Sequence, residues 1–190
     1  MRLVATPLQG LYLVETPRHV DERGWFSESF HAQKWAKAFA EQGLSAPGPF
    51  VQDNHSCSRR GVVRGLHFQL PPHAQGKLVR VVRGAAFDVA VDVRRGSPTF
   101  GRWYGVELGA DTGRQLWIPA GFAHGFMALQ DDTHFLYKTT QAYAPTSERA
   151  IRWDDPAIGI RWPALAPSVG SKDRSAPVLG EAEVFEEEER

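Results

Sequence analysis

The sequence predicts an all-β chain, an antiparallel barrel or double-sheet jelly roll with one short N-terminal helix. Three observations lead there. From Phe50 onward the chain reads as short strands divided by Gly, Pro, Asp and Ser at roughly ten-residue intervals. Within Phe87-Asp-Val-Ala-Val-Asp-Val93 the alternation is strict, so Phe87, Val89, Val91 and Val93 share one face. Only one segment has helical spacing, and barrels of this kind hold small ligands in their mouths.

Taken in order, positions 1–50 form an extension ahead of the barrel. The helix is expected over His31 to Gln42, with Trp35, Ala38 and Phe39 on one side, Lys34, Lys37 and Glu41 elsewhere, and Gly43 as its stop. Strands are expected at Val51 to Ser58, Val62 to Phe68, Leu78 to Arg83, Phe87 to Val93 and Phe100 to Leu108. Three more follow at Gln115 to Ile118, Gly125 to Leu129 and Thr133 to Thr140. From Asp154 onward Pro156, Pro163, Pro167 and Pro177 argue against further long elements. That segment should wrap the barrel as irregular chain and short helical turns. Residues 1–180 thus read as one domain, followed by an acidic tail at 181–190.

Composition narrows the function classes. With 190 residues and 42% hydrophobic content, the chain suffices for one well-cored domain. No run of about 18 apolar residues exists, and Met1-Arg-Leu-Val-Ala-Thr-Pro-Leu8 is too short for a secretory core segment, which predicts a cytoplasmic protein without a membrane span. The single Cys57 excludes an internal disulfide and a cysteine-based zinc site, and reads as a strand residue. Formal net charge is zero, yet the last ten residues hold six of the 22 acids and one of the 22 bases. The remaining body carries 21 bases and 16 acids, an excess of +5 that suits an anionic ligand, while the tail reads as a solvated, frayed end. The arginines are scattered, with no basic helix or lysine-rich arm, so no nucleic-acid surface is expected.

The chemistry concentrates in two stretches, Gly61-Val-Val-Arg-Gly-Leu-His-Phe-Gln69 and Gly113-Arg-Gln-Leu-Trp-Ile-Pro-Ala-Gly-Phe-Ala-His124. The second has the spacing of a cupin-barrel motif. The first places His-x-Gln where a metal-binding cupin presents His-x-His. Zinc, iron or manganese needs about three or four nitrogen or oxygen ligands. Here position 69 is Gln, no suitable Glu follows between His67 and Gly84, and Ala128 stands where the second motif carries Asn. His73, beside Pro71-Pro72, reads as a loop residue, so no metal is assigned.

Alternation puts Val63, Gly65, His67 and Gln69 on one face and Arg64, Leu66 and Phe68 on the other. A shared site for Arg64 and His67 therefore requires a bulge, which Gly65 permits. Taken alone, His67 reads as a packed strand side chain more readily than as a base, Tyr137 as an amphipathic core residue, and Lys77 as a solvated strand-edge cation. Tyr143 stacks on a ring or simply packs.

Further segments change that balance. Gln52-Asp-Asn-His-Ser56, the stretch 61–69, Ala74-Gln-Gly-Lys-Leu-Val-Arg-Val81, Asp88-Val-Ala-Val-Asp-Val-Arg94 and Ser97-Pro-Thr-Phe-Gly101 come first. Pro119-Ala-Gly-Phe-Ala-His-Gly-Phe126, Tyr137-Lys-Thr-Thr140, Trp153-Asp-Asp-Pro156 and Ser171-Lys-Asp173 follow. In this order, from about Asp21 to Asp173, the chain resembles the dTDP-4-dehydrorhamnose 3,5-epimerase family of the cupin superfamily. The resemblance implies a cofactor-free isomerase of a nucleotide-linked 4-keto-6-deoxyhexose in dTDP-L-rhamnose biosynthesis, inverting C3 and C5 through enolates. It implies His67 as general base, Tyr137 as the acid on the opposite face and Asp173 as the carboxylate that orients His67. Arg64 and Lys77 would stabilise charge at the C4 oxygen. The rest of the substrate would meet Arg23, Glu28, Gln52, Asp53, Asn54, His124, Glu148 and Lys172, with Tyr143 on the thymine and Asp53 reduced to a backbone contact. Arg23 and Glu28 would enter a partner's site, implying a homodimer with exchanged N-terminal segments. The alternatives are a single-centre epimerase for antibiotic-type sugars, a metal-dependent cupin enzyme, and a non-catalytic sugar-nucleotide binding module.

Overall fold

Two antiparallel sheets face each other in a jelly-roll barrel, in a computed structural model that describes residues 1–186. The chain opens with β1 (Arg2–Ala5), β2 (Tyr12–Glu15), β3 (His19–Asp21), β4 (Gly24–Phe26) and α1 (Ala32–Ala40). The barrel continues through β5 (Gln52–Ser58), β6 (Val62–Gln69), β7 (Lys77–Arg83), β8 (Ala85–Asp92) and β9 (Trp103–Gly109). It closes with β10 (Arg114–Ile118), β11 (Phe122–Ala128) and β12 (Thr133–Thr139), followed by the short β13 (Glu148–Ala150), β14 (Ser168–Val169) and α2 (Ser171–Arg174). One sheet runs β1-β2-β10-β7-β12-β5, and the other β13-β6-β11-β8-β9 with β14 added in parallel to β6.

The fold class and the eight central strands agree with the sequence reading. Positions 1–50 do more than extend from the barrel, because β1 and β2 complete one sheet through β10. Their four-residue lengths, broken by Thr6 to Leu11, leave too little alternation to read. β11 begins at Phe122, three residues before the expected Gly125, and so takes His124 into the sheet. No helix among the described residues is long and apolar enough to cross a membrane.

The inner faces of the sheets meet around Leu13, Val79, Val81, Leu116, Ile118 and Phe135 on one side and Ala86, Ala90, Leu108, Phe122 and Phe126 on the other. Phe126 and Phe135 stack across the gap, their centroids 4.1 Å apart. Each sheet is also covered outside. The apolar side of α1, with Trp35, Ala38 and Phe39, lies on Leu3, Val14, Leu78 and Trp117. The Val89, Val91 and Val93 face of β8 lies beneath Ile151, Ile158, Leu179, Ala182 and Val184 of the C-terminal wrap. The richest apolar face of β8 thus points outward, which turns Asp88 and Ala90 into the barrel.

That packing corrects one expectation. The acidic segment is not a free end from residue 181, since Ala182 and Val184 are buried, Phe185 bridges to Arg94, and Glu183 and Glu186 pair with Arg149 and Arg95. The apolar spacing of Ala182, Val184 and Phe185 overrides the charge between them. Glu187, Glu188, Glu189 and Arg190 lie outside the described residues.

The required bulge is present in β6. Arg64 pairs with Phe126 and His67 with His124, so β6 spends one more residue than β11 over this interval. Gly65 has φ +127°, and a Cβ there would lie 2.5 Å from Gly125 Cα and 2.7 Å from the His124 carbonyl oxygen. Gly65→Ala should therefore destabilise the fold by roughly 3 kcal/mol or more, read as a lower urea midpoint at unchanged slope. A midpoint within error of the unmodified chain would show that this backbone can relax.

Candidate active site

The bulge rotates β6 so that Arg64 and His67 both open into one cavity of about 390 Å³ between the sheets. Leu66 and Phe68 point the other way into the outer core. β5 contributes Gln52 and Asn54, β7 Lys77, β11 His124, β12 Tyr137, and the C-terminal segments Tyr143, Glu148 and Asp173.

His67 Nε2 lies 2.6 Å from Asp173 Oδ1, leaving Nδ1 as the ring nitrogen not engaged by this carboxylate. Asp173 sits on the short turn α2 and also accepts the Gly65 amide N–H at 3.1 Å through Oδ2. Burial works to raise the Asp173 carboxyl, but the bond and charge of His67 and the Gly65 N–H outweigh it and hold the group below the usual range. One acid thus fixes both the imidazole and the bulge that presents it.

Lys77, at the start of β7, is buried and donates from Nζ to the His67 carbonyl oxygen at 3.1 Å. Loss of solvation lowers its pKa to about 8, against the opposing pull of Glu148 and Asp88. His124 is buried with Nε2 2.7 Å from Asp88 Oδ1. Burial pushes His124 down despite Asp88, with Lys77 and His67 acting in the same direction. The half-buried Tyr137 hydroxyl is raised by burial, tempered by the positive field of Arg64. Arg64 is held at Nε by Ser58 Oγ at 3.1 Å.

At the mouth, Glu148 Oε2 accepts from Tyr143 Oη at 2.9 Å and from Lys172 Nζ at 2.5 Å. Burial tends to raise Glu148, but the bonds from Lys172 and Tyr143 win and lower it. Lys172 lies outside the cavity wall, reaching it through this carboxylate. Gln52 donates to Asn54 Oδ1 at 2.9 Å, tying the two β5 side chains that face inward.

Three expected substrate contacts do not join this cavity within the chain. Asp53 lies between Gln52 and Asn54, so the strand period turns it to the opposite face, where Lys138 Nζ meets it at 2.8 Å. Arg23 sits in the β3–β4 hairpin and pairs with Asp21, while Glu28 pairs with Lys34 at 2.8 Å. Arg23 is exposed and Glu28 half-buried, near the exposed side chains of Val20, Trp25 and Phe26.

Among the residues with no role in the sequence reading are one that binds His124 from outside the cavity lining and one in the lining itself. Asp88 is the first; an acid inside an alternating apolar strand needs a buried partner, and that alone could have flagged it. Gln69 is the other, noticed only as a missing histidine. Its amide bonds the backbone at His73, Ala142 and Ala144. Among the described residues no three His, Cys, Asp or Glu side chains are arranged to hold a metal ion. His67 and His124 are each committed to a separate acid.

A family model described as dTDP-4-dehydrorhamnose 3,5-epimerase matches residues 5–181. The chain is 54% identical over 174 residues to the dTDP-4-dehydrorhamnose 3,5-epimerase of Sinorhizobium fredii, covering 90% of this chain and 86% of that protein. To the protein of the same name from Shigella flexneri it is 49% identical over 185 residues, covering 97% and 99%. The crystal structure of dTDP-6-deoxy-D-glucose-3,5-epimerase from Legionella pneumophila Philadelphia 1, in complex with dTDP-4-keto-L-rhamnose, superposes with a TM-score of 0.90 at 43% identity, covering 99% of each chain. Likeness along nearly the whole sequence, on the same barrel and through a model that takes in His67, Tyr137 and Asp173, means that this chain belongs to the dTDP-4-dehydrorhamnose 3,5-epimerase family.

Proposed function

We propose that the protein epimerises a dTDP-linked 4-keto-6-deoxyhexose at C3 and C5, the step that leads to dTDP-4-keto-L-rhamnose. One observation carries the reading: His67 bound to Asp173, the Tyr137 hydroxyl and the Lys77 ammonium line one cavity. A ketone at C4 makes the hydrogens on C3 and C5 acidic. His67 takes such a proton on its free ring nitrogen, and the electron pair moves through the new C=C bond onto the C4 oxygen. Lys77 and Arg64 stabilise that oxyanion where little water competes. Tyr137 delivers its hydroxyl proton to the opposite face, which inverts the centre; it then recovers a proton from solvent while His67 gives up the one it took. Asp173 holds the tautomer of His67 and the imidazolium that forms. Burial that raises Tyr137 keeps it protonated until the enolate exists.

The rest of the ligand follows by chemistry. The cationic excess of the body suits a diphosphate, met by Arg64 and Lys172 with Gln52, Asn54, His124 and Glu148 on neighbouring polar groups. Tyr143, exposed at the mouth, offers a ring for thymine. Arg23 and Glu28 would complete the site of a second copy, because the exposed Val20, Trp25 and Phe26 around them give the hairpin an apolar docking face. Sedimentation should then yield a mass about twice the 21.2 kDa of the chain, and a fully active monomer would remove this part of the proposal.

In deuterium oxide, dTDP-4-keto-6-deoxyglucose should acquire label at both C3 and C5. His67→Ala and Tyr137→Phe should each slow turnover by about 100-fold or more. Label at one carbon only would identify a single-centre epimerase, and binding without exchange a non-catalytic module. Near-normal turnover in both variants would overturn the roles of the two side chains.

Lys77 fixes the alkaline behaviour. It carries charge below its pKa of about 8 and loses it above, so kcat/KM should fall as pH rises through this region. In Lys77→Met that limb should vanish from a much lower baseline. A profile that stays flat to pH about 10 would show that Lys77 is not lowered from the ordinary lysine value or that its charge is not required, and Lys77→Met activity near that of the unmodified chain would show the second.

A further inference from the structure

We infer that Gln69 is a positioning residue for nucleotide recognition: with Gln52 and Gln75 it clamps the backbone of residues 141–144 and so fixes the Tyr143 ring at the cavity mouth. The inference rests on the proposed stacking role of Tyr143. The Gln69 amide donates to the carbonyl oxygens of His73 at 2.6 Å and Ala142 at 3.2 Å, and its Oε1 accepts the Ala144 N–H at 2.9 Å. Gln52 Oε1 accepts the Tyr143 N–H at 2.9 Å, and Gln75 donates to the Gln141 carbonyl at 2.7 Å. Four consecutive residues thus each have a backbone group held by a glutamine side chain.

The residue type is matched to this task. A primary amide offers two N–H donors and one carbonyl acceptor, as two carbonyls and one N–H require. A carboxylate has no donor, and a neutral imidazole has only one donor and one acceptor. Gln69 is buried, so removal of its amide strands polar groups that water reaches poorly. Tyr143 is 53% exposed and lacks packing that would hold it, which leaves the clamp and the bond to Glu148 to orient its ring. Holding the ring before the ligand arrives lowers the ordering cost of binding.

The test uses Gln69→Leu, which keeps the approximate shape, adds no charge and deletes all three bonds. Calorimetry with dTDP should show affinity falling roughly tenfold, with KM for the nucleotide sugar rising in parallel and kcat within about threefold. Affinity for inorganic pyrophosphate should stay within about twofold, because the clamp does not act on the phosphate groups. In a Tyr143→Ala background, Gln69→Leu should cost less than about twofold more, since both changes remove one interaction. Unchanged dTDP affinity, a loss in kcat alone, an equal loss of pyrophosphate binding, or full additivity with Tyr143→Ala would each overturn the inference. If Gln69→Leu does not fold, Gln75→Leu at the rim decides, with a loss of about threefold expected for dTDP and none for pyrophosphate. Tyr143→Ala alone leaving dTDP affinity unchanged would instead overturn the stacking role and the clamp with it.

Discussion

The carboxylate of Asp173 is the constraint on which the site depends. Its two oxygens bind two different things, the His67 ring and the Gly65 amide. The second bond pins a bulge that no side chain larger than glycine fits, and the bulge brings Arg64 to the same cavity as His67. A residue near the C-terminus thereby organises a strand more than a hundred positions earlier. Since α2 has only four residues, its place depends on the neighbouring β14–β6 pairing and on the apolar wrap over the second sheet.

Around that anchor the cavity separates its charges into local pairs. His67 belongs to Asp173 and His124 to Asp88, while Glu148 is engaged with Lys172 and Tyr143 at the mouth. Lys77 has no direct carboxylate partner among the described residues. It feels Asp88 and Glu148 only through space and donates to a backbone oxygen instead. A buried cation left in this way is poorly stabilised before a ligand binds. It gains most from an oxygen that acquires negative charge beside it, which is the electrostatic condition for favouring an enolate over a ketone.

Much of this was legible in the sequence, for identifiable reasons. Strict alternation exposed β8, turn residues divided the central strands, and the apolar side of α1 was plain from Trp35, Ala38 and Phe39. His67, Tyr137, Lys77 and His124 stood in quotable motifs. The bulge could be required, because alternation set Arg64 against His67, but only Gly65 hinted at where. Less was visible where periodicity is short or contacts are distant. β1 and β2 have four residues each, and the packing of Val184 depends on a face of β8 that the sequence could not orient. Asp53 stands between two cavity residues in sequence, although the strand period alone sends it outward.

Gln69 joins these themes, because it occupies the position where a metal-binding cupin has a second histidine. A metal ligand there would direct its lone pair into the cavity. The amide turns its polar atoms onto the chain itself, binding His73, Ala142 and Ala144. His124, the other motif histidine, is likewise taken by Asp88. The barrel therefore divides its work along its depth. Proton-transfer groups and cations lie inside around His67, while amide contacts and an aromatic ring govern the mouth. Because the amides hold backbone and leave the inner groups alone, changes at the mouth should alter which nucleotide is held with little effect on the chemistry below. Changes to Asp173 cannot be separated in this way, since one side chain supports both the reacting histidine and the strand that carries it.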